Sequence, residues 1–235
     1  MATGIRQSRV REVRLAWSAN LAYAVGLVAT DGCLLNTGRH VAFVSKDLEQ
    51  IQNFLRCVGR PGATVRDDGT AYRVYFGDVE LYDWLTAAGL TPRKSLTLAS
   101  LVVPDEFFFD TVRGLLDGDG SIAHYVHQPN RADYPGYRYR RLCVRFYSAS
   151  HAHLTWLRFR LGATLGIRGA LLKQPRDPRH DLFALQYAKH ASTALLTRLY
   201  QDPDGPRLLR KWLIWEDFRS QPVTTRPYNR RKPIC

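Results

Sequence analysis

The sequence predicts an α+β protein of two similar halves. Each half runs helix, hairpin, helix, hairpin, helix, and its hairpins form one antiparallel sheet. Three observations predict this: a glycine-containing helical motif occurs twice, strands of alternating pattern follow each copy, and turn signals recur at corresponding places. The first copy is Ala24-Val25-Gly26-Leu27-Val28-Ala29-Thr30-Asp31-Gly32. The second is Val112-Arg113-Gly114-Leu115-Leu116-Asp117-Gly118-Asp119-Gly120. Gly26 matches Gly114, Asp31 matches Asp119 and Gly32 matches Gly120. A glycine inside a helix costs about 1 kcal/mol relative to alanine, so two at equivalent places need a compensating gain. Close approach of two backbones supplies it. Helices meeting at Gly26 and Gly114 end at one level, with Asp31 and Asp119 side by side.

Taken in order, residues 1–16 read as a basic arm with Arg6, Arg9, Arg11 and Arg14. Ser18 or Asn20 caps the first motif helix, which stops at Gly32. Strand residues then run to Ser45 around a turn at Asn36-Thr37-Gly38. Asp47 to Val58 has helical spacing, with Ile51, Phe54 and Leu55 on one side. A hairpin follows, with Asp67-Asp68-Gly69 as its turn and Ala71 to Phe76 as its return arm. Val79 to Gly89 is a helix ended by Gly89 and Pro92, and apolar residues 96–103 join the halves. Pro104-Asp105-Glu106 opens the second motif helix, with proline and acids at its positive end. The second half repeats the order with a longer connection, Tyr125 to Tyr137, containing Pro129 and Pro135. The boundaries that follow are an arm at 1–16, halves at 17–103 and 104–219, and a basic tail at 220–235 with Arg226, Arg230, Arg231 and Lys232.

Helices on one side of each sheet leave the other side polar. Along Tyr139 to Tyr147, alternation puts Leu142, Val144 and Phe146 on one face. Tyr139, Arg141, Cys143, Arg145 and Tyr147 take the other. The corresponding surface of the first half offers His40, Arg66, Asp68, Arg73 and Tyr75. Arginines and tyrosines spaced along a sheet suit a DNA major groove, which admits a β-ribbon. Composition agrees: 34 basic against 21 acidic residues give a formal charge of +13, and an arginine-rich excess points to a polyanion. Cys33, Cys57, Cys143 and Cys235 have neither metal-ligand nor disulfide-scaffold spacing. The opening residues carry no apolar signal run, and Leu21 to Ala29 is too short to cross a bilayer. The expected location is intracellular, in cytoplasm, nucleoid or organelle, with no secretion and no membrane partner.

The paired motifs resemble those of the LAGLIDADG homing endonucleases, in the form that carries both on one chain. Further landmarks extend the resemblance over most of the sequence. They are the strands Val41-Ala42-Phe43-Val44-Ser45 and Val144-Arg145-Phe146-Tyr147-Ser148, the helices at Ile51 to Leu55 and Leu154 to Leu157, and the basic pairs Arg93-Lys94 and Arg210-Lys211. The sixth motif position departs, being Ala29 in one copy and Asp117 in the other, and the opening Leu-Ala becomes Ala24-Val25 and Val112-Arg113. The resemblance implies a pseudo-two-fold, DNA-binding saddle with the motif helices at its central interface. It also implies a monomeric endonuclease that cuts both strands of a long, asymmetric site in intron homing. Asp31 and Asp119 would hold Mg2+ or Mn2+, with Ca2+ as a non-cleaving substitute. The carbonyls of Thr30 and Gly118 would complete the coordination. Lys94 and Lys211 fall where the family places a basic residue near the scissile phosphates, a role in charge stabilisation.

The chemistry of the residues agrees, because phosphodiester hydrolysis needs an activated water and a stabilised leaving oxygen, which metals held by carboxylates supply. Rival sites fail on spacing. Asp117 to Ser121 begins like a calcium loop, but Ile122 replaces the required glycine and Gln128 the closing acid. His151 and His153 lack a cysteine pair, and Gly114 to Gly120 lacks the phosphate-loop lysine. Two other readings of the same fold stay open: an RNA maturase acting on intron RNA, and a DNA-binding regulator without catalysis. The intact acid pair argues against the regulator only.

Overall fold

A computed structural model describes residues 15–127, 139–174 and 181–221. Residues 1–14 of the arm expected at 1–16, the prolines Pro129 and Pro135, and the tail arginines and lysine lie outside them. Helix α1 (Ala19–Thr30) starts at Ser18, whose hydroxyl accepts the Leu21 N–H at 3.2 Å. Strands β1 (Gly32–Leu34) and β2 (His40–Ser45) form a hairpin on the expected turn, and α2 (Leu48–Cys57) follows. A second hairpin, β3 (Val65–Asp67) and β4 (Tyr72–Gly77), leads to α3 (Val79–Ala87). Its turn needs a left-handed residue, which Gly69 supplies at φ +78°. After a single 3-10 turn (Asp105–Phe107), the second half begins with α4 (Phe108–Asp117). Strands β5 (Ser121–His127) and β6 (Tyr139–Ser148), helix α5 (His151–Leu165), strands β7 (Ala170–Gln174) and β8 (Leu182–Tyr187), and helix α6 (Lys189–Leu199) repeat the order.

Both sheets are antiparallel and share one strand order, β1-β2-β4-β3 and β5-β6-β8-β7. The helices cover one face of each. Val41, Phe43 and Val74 meet Ile51, Phe54 and Leu55 in the first half, and Phe43 stacks on Phe54 at 4.6 Å. Leu142, Val144 and Phe146 meet Leu154, Leu157 and Leu161 in the second. Period-two strands and period-3.6 helices thus aim their apolar sides at one layer.

The halves differ at their ends. After α3 the first half continues through turns at residues 92–97, with Arg93 at φ 57°. The second half instead adds a helix, α7 (Leu209–Ser220), which lies against β5. Arg140, on the helix side of β6, accounts for part of that placement. Its guanidinium donates to the Phe218 and Gln221 carbonyls at 2.6 and 2.8 Å and lies over the Phe218 ring.

Candidate nuclease site at the paired helix ends

The site begins with the closeness of α1 and α4. A Cβ added to Gly26 would stand 2.2 Å from the Thr111 carbonyl oxygen, and one added to Gly114 would stand 2.2 Å from that of Tyr23. Each glycine therefore admits the backbone of the other helix. The two motifs also interlock at their ends, where a Cβ on Gly118 would fall 1.9 Å from the Thr30 hydroxyl. Thr30 and Gly118 occupy matching positions, so one large and one small residue share the crossing point.

Asp31 leaves its helix end half-buried, and Asp119 leaves its own exposed at the surface but still crowded by surrounding protein. Burial and the charge of Asp119 push the Asp31 carboxyl up to about 6, against the pull of Lys211 and Lys94. Burial raises Asp119 as well, opposed by the same two lysines. Two desolvated carboxylates, ionised at neutral pH only at a cost, form a place that favours added positive charge. Among the described residues no cluster of three or more His, Cys, Asp and Glu side chains gathers. A cation held here would take its charged ligands from the acid pair, with main-chain oxygen beside it. That donor set of hard oxygens fits Mg2+, Mn2+ or Ca2+.

Lys94 and Lys211 are both buried, and their ammoniums meet main-chain carbonyls. Lys94 Nζ donates to Gly32 O at 2.6 Å. Lys211 Nζ donates to Leu116, Asp117, Gly118 and Gly120 at 2.6, 2.8, 3.0 and 2.7 Å. Gly32 and Gly120 are motif equivalents, so the lysines are placed alike while their surroundings differ. The Gly118 carbonyl, one of the metal ligands the family resemblance implies, thus already accepts a lysine proton. Burial lowers both ammoniums, Lys211 to about 8.

Sequence reasoning missed Gln50. It is buried in the first turn of α2, and its amide donates to Asp31 Oδ2 at 3.4 Å and to Asp117 O at 3.1 Å. The Ser45 hydroxyl holds its carbonyl oxygen at 2.9 Å. The available signal was positional. Gln50 and His153 each stand three residues after the cap residue of matching helices, Asp47 and Ser150, and both are buried polar side chains. His153 instead donates Nδ1–H to Ala99 O at 2.8 Å.

Asp117, the motif's odd acid, is fully buried, and its Oδ2 accepts the Tyr23 hydroxyl and the Leu208 N–H, each at 2.8 Å. Beside Asp119 opens a cleft of about 580 Å³ lined by Thr30, Ser95, Tyr147, Ser148 and Gln174. It joins Asp119 to the surface of the second sheet.

The outward faces carry the remaining candidate residues. In the first sheet Arg66 pairs across from Arg73, and Tyr75 across from Ala42. His40 stacks on Tyr75 at 4.9 Å. Asp68 lies in the hairpin turn, where it accepts the Thr70 and Ala71 N–H groups and ion-pairs with Arg73. Hydrogen bonds from Thr70 and the Arg73 guanidinium hold its carboxyl well below the usual range. In the second sheet Arg145 Nε donates to Gln186 at 2.6 Å, while Arg141 lies over the Tyr139 ring and donates to its hydroxyl at 3.1 Å. Tyr147 is half-buried at the cleft. Cys143, expected on the open face, is buried because it is small beside Arg141 and Arg145.

No protein-family model matches the chain, and no curated protein sequence matches it. Solved structures do. One of mesophilic variants of the homing endonuclease I-DmoI aligns at a TM-score of 0.57 and 15% identity, covering 84% of this chain and 97% of that chain. I-DmoI in complex with DNA and Ca aligns at 0.56 and 14%, with coverages of 84% and 97%. The meganuclease I-SmaMI bound to uncleaveable DNA aligns at 0.53 and 13%, covering 78% and 84%. The fold is that of the LAGLIDADG homing endonucleases, with its two pseudo-symmetric halves. No described helix is long and apolar enough to cross a membrane.

Proposed function

We propose that the chain is a divalent-metal-dependent endonuclease that cuts both strands of DNA at a long, asymmetric site. Residues 17–103 and 104–219 would each read one side with the outward face of their sheet. One observation carries the reading: two motif acids at matched helix ends share one desolvated interface, next to a cleft that opens on a sheet rich in arginine and tyrosine. A pure binding surface has no use for two partly desolvated carboxylates that repel phosphate. The structural neighbours solved with DNA and Ca, Mg or Mn support it.

Asp31 and Asp119 would hold the metal, each acid serving one strand. Bound there, a divalent ion supplies a polarised phosphate and a water of lowered pKa. Gln50, fixed by Ser45, orients the Asp31 carboxylate through its amide. Lys94 and Lys211 add positive charge beside both acids, favouring their ionised, ligating state.

The test uses supercoiled plasmid carrying a library of candidate sites, with Mg2+, Mn2+, Ca2+ or chelator. Native protein should linearise a subset of sites in Mg2+ or Mn2+, and only bind them in Ca2+. The double variant Asp31→Asn with Asp119→Asn should bind and leave the plasmid intact. Linearisation by the double variant would remove the two acids from the mechanism. Site-specific binding without cleavage under every metal would favour the regulator reading instead.

A further inference from the structure

The end of α4 has no ordinary helix stop. The last four carbonyls of a helix lack intrahelical partners and carry the negative end of its dipole. A left-handed glycine often closes such an end. Gly118, however, has φ −71° and ψ −104°, which is not left-handed. The carbonyls of Leu116, Asp117, Gly118 and Gly120 converge instead on the Lys211 ammonium, at 2.6–3.0 Å. Four uncharged oxygens at such distances around one positive charge make a cage of the size that dehydrated potassium or ammonium occupies.

We propose that Lys211 is a tethered monovalent cation: its ammonium fills this carbonyl cage, closes the end of α4 and thereby sets Asp119, without touching the phosphate. It is a positioning residue. The residues before it deliver it to the cage. Leu208 N–H donates to Asp117 Oδ2, Leu209 N–H to the Glu49 carboxylate, and Arg210 pairs with Asp47 through two nitrogens. Asp117 therefore both contributes a cage carbonyl and anchors the segment that brings the cation. The first motif has Ala29 at that position, and Lys94 meets a single carbonyl. The cage stands whether or not the chain cuts DNA. Only its effect on Asp119 rests on the nuclease reading.

The experiment is cation rescue. Native protein and Lys211→Ala are melted in the chlorides of potassium, ammonium and tetramethylammonium at equal ionic strength. The variant should melt about 10 °C lower in tetramethylammonium, which is too large for the cage. Ammonium or potassium should return at least half of that loss, and native protein should show no preference. Equal behaviour of the variant in all three salts would overturn the proposal. If Lys211→Ala does not fold, native protein with nitrogen-15 lysine decides. The Lys211 ammonium protons should exchange more slowly than those of exposed Lys46, and equal rates would overturn the cage. Where native protein cuts DNA, ammonium should also restore kcat of the strand assigned to Asp119 in the variant, with KM unmoved. A native protein that never cuts would sink the nuclease reading and leave salt-specific rescue of melting intact.

Discussion

The two motif ends carry the same acid on different supports. At the first, Asp31 follows Thr30, the Gln50 amide approaches its carboxylate, and Lys94 meets one carbonyl. At the second, Asp119 follows Gly118, His153 takes the position of Gln50 and turns to Ala99, and Lys211 meets four carbonyls from the added helix α7. The shared features are those that need both copies at once. Gly26 and Gly114 meet each other, and the acids act on a common interface, so neither can change alone. Each lysine meets carbonyls of its own motif end, whereas Gln50 reaches Asp31 and also the Asp117 carbonyl of the other motif, and in these supports the halves differ.

The comparison breaks most sharply at the acids. Asp31→Asn and Asp119→Asn should each lower double-strand cleavage at least about a thousandfold, with binding retained because only a charge is removed. Substrates labelled on each strand then rank the supports. Equal residual nicking by both variants would mean that the differing supports do not matter to the chemistry.

Gly26→Val and Gly114→Val should come next, since a Cβ alone already meets backbone oxygen at 2.2 Å in either direction. Overpacking at this depth costs about 3 kcal/mol, enough to move a melting curve by several degrees. The two losses should be similar, because the contact is reciprocal. A variant that melts and cuts like the parent would show that α1 and α4 do not need their close approach.

The acids should also carry a stability penalty. Asp31 titrates near 6 when folded, above its usual range of about 3.8, so the unfolded chain holds fewer protons between these values. Stability then falls as pH rises through that window. At pH 7 the full penalty is present, about 2 kcal/mol after allowance for partial exposure. Asp31→Asn should therefore raise the melting temperature at pH 7, and the gain should vanish near pH 4. Mg2+ should stabilise the native protein at pH 7 and leave the double Asn variant unmoved. A melting temperature that Asp31→Asn lowers at pH 7 would contradict the burial and repulsion that raise this carboxyl.

Much of this was legible in the residues. Glycine at matched helix positions has few physical explanations, so Gly26 and Gly114 led to the helix pair and hence to the acids. Alternation placed Leu142, Val144 and Phe146 inside, and Asp67-Asp68-Gly69 marked its turn. What stayed hidden depends on distant chain. Gln50 resembles any helix-surface glutamine until α4 arrives above it. Lys211 reads as a solvent or phosphate lysine until four carbonyls surround it. Helix α7 has no strong apolar side, because Lys211 and Arg210 interrupt it for contacts made elsewhere.

The smallest expected effect compares the two sheets. Arg73 and Arg141 both lie on outward faces, but Arg73 is paired with a carboxylate, that of Asp68, while Arg141 donates to the neutral Tyr139 hydroxyl and lies over its ring. A neutralised guanidinium offers DNA less charge and must give up its carboxylate to reach a base or phosphate. Arg141→Ala should weaken binding about tenfold and shorten the salt dependence by about one counterion, with Arg145→Ala acting on the same half-site. Arg73→Ala should cost less. Asp68→Asn, which frees Arg73, should tighten binding at the first half-site and steepen its salt dependence. Titrations against duplexes altered in one half-site at a time separate these effects. If Asp68→Asn weakens binding, the carboxylate is itself a contact or an essential brace of the hairpin turn, and the sheets are more alike in their use of charge than their ion pairs suggest.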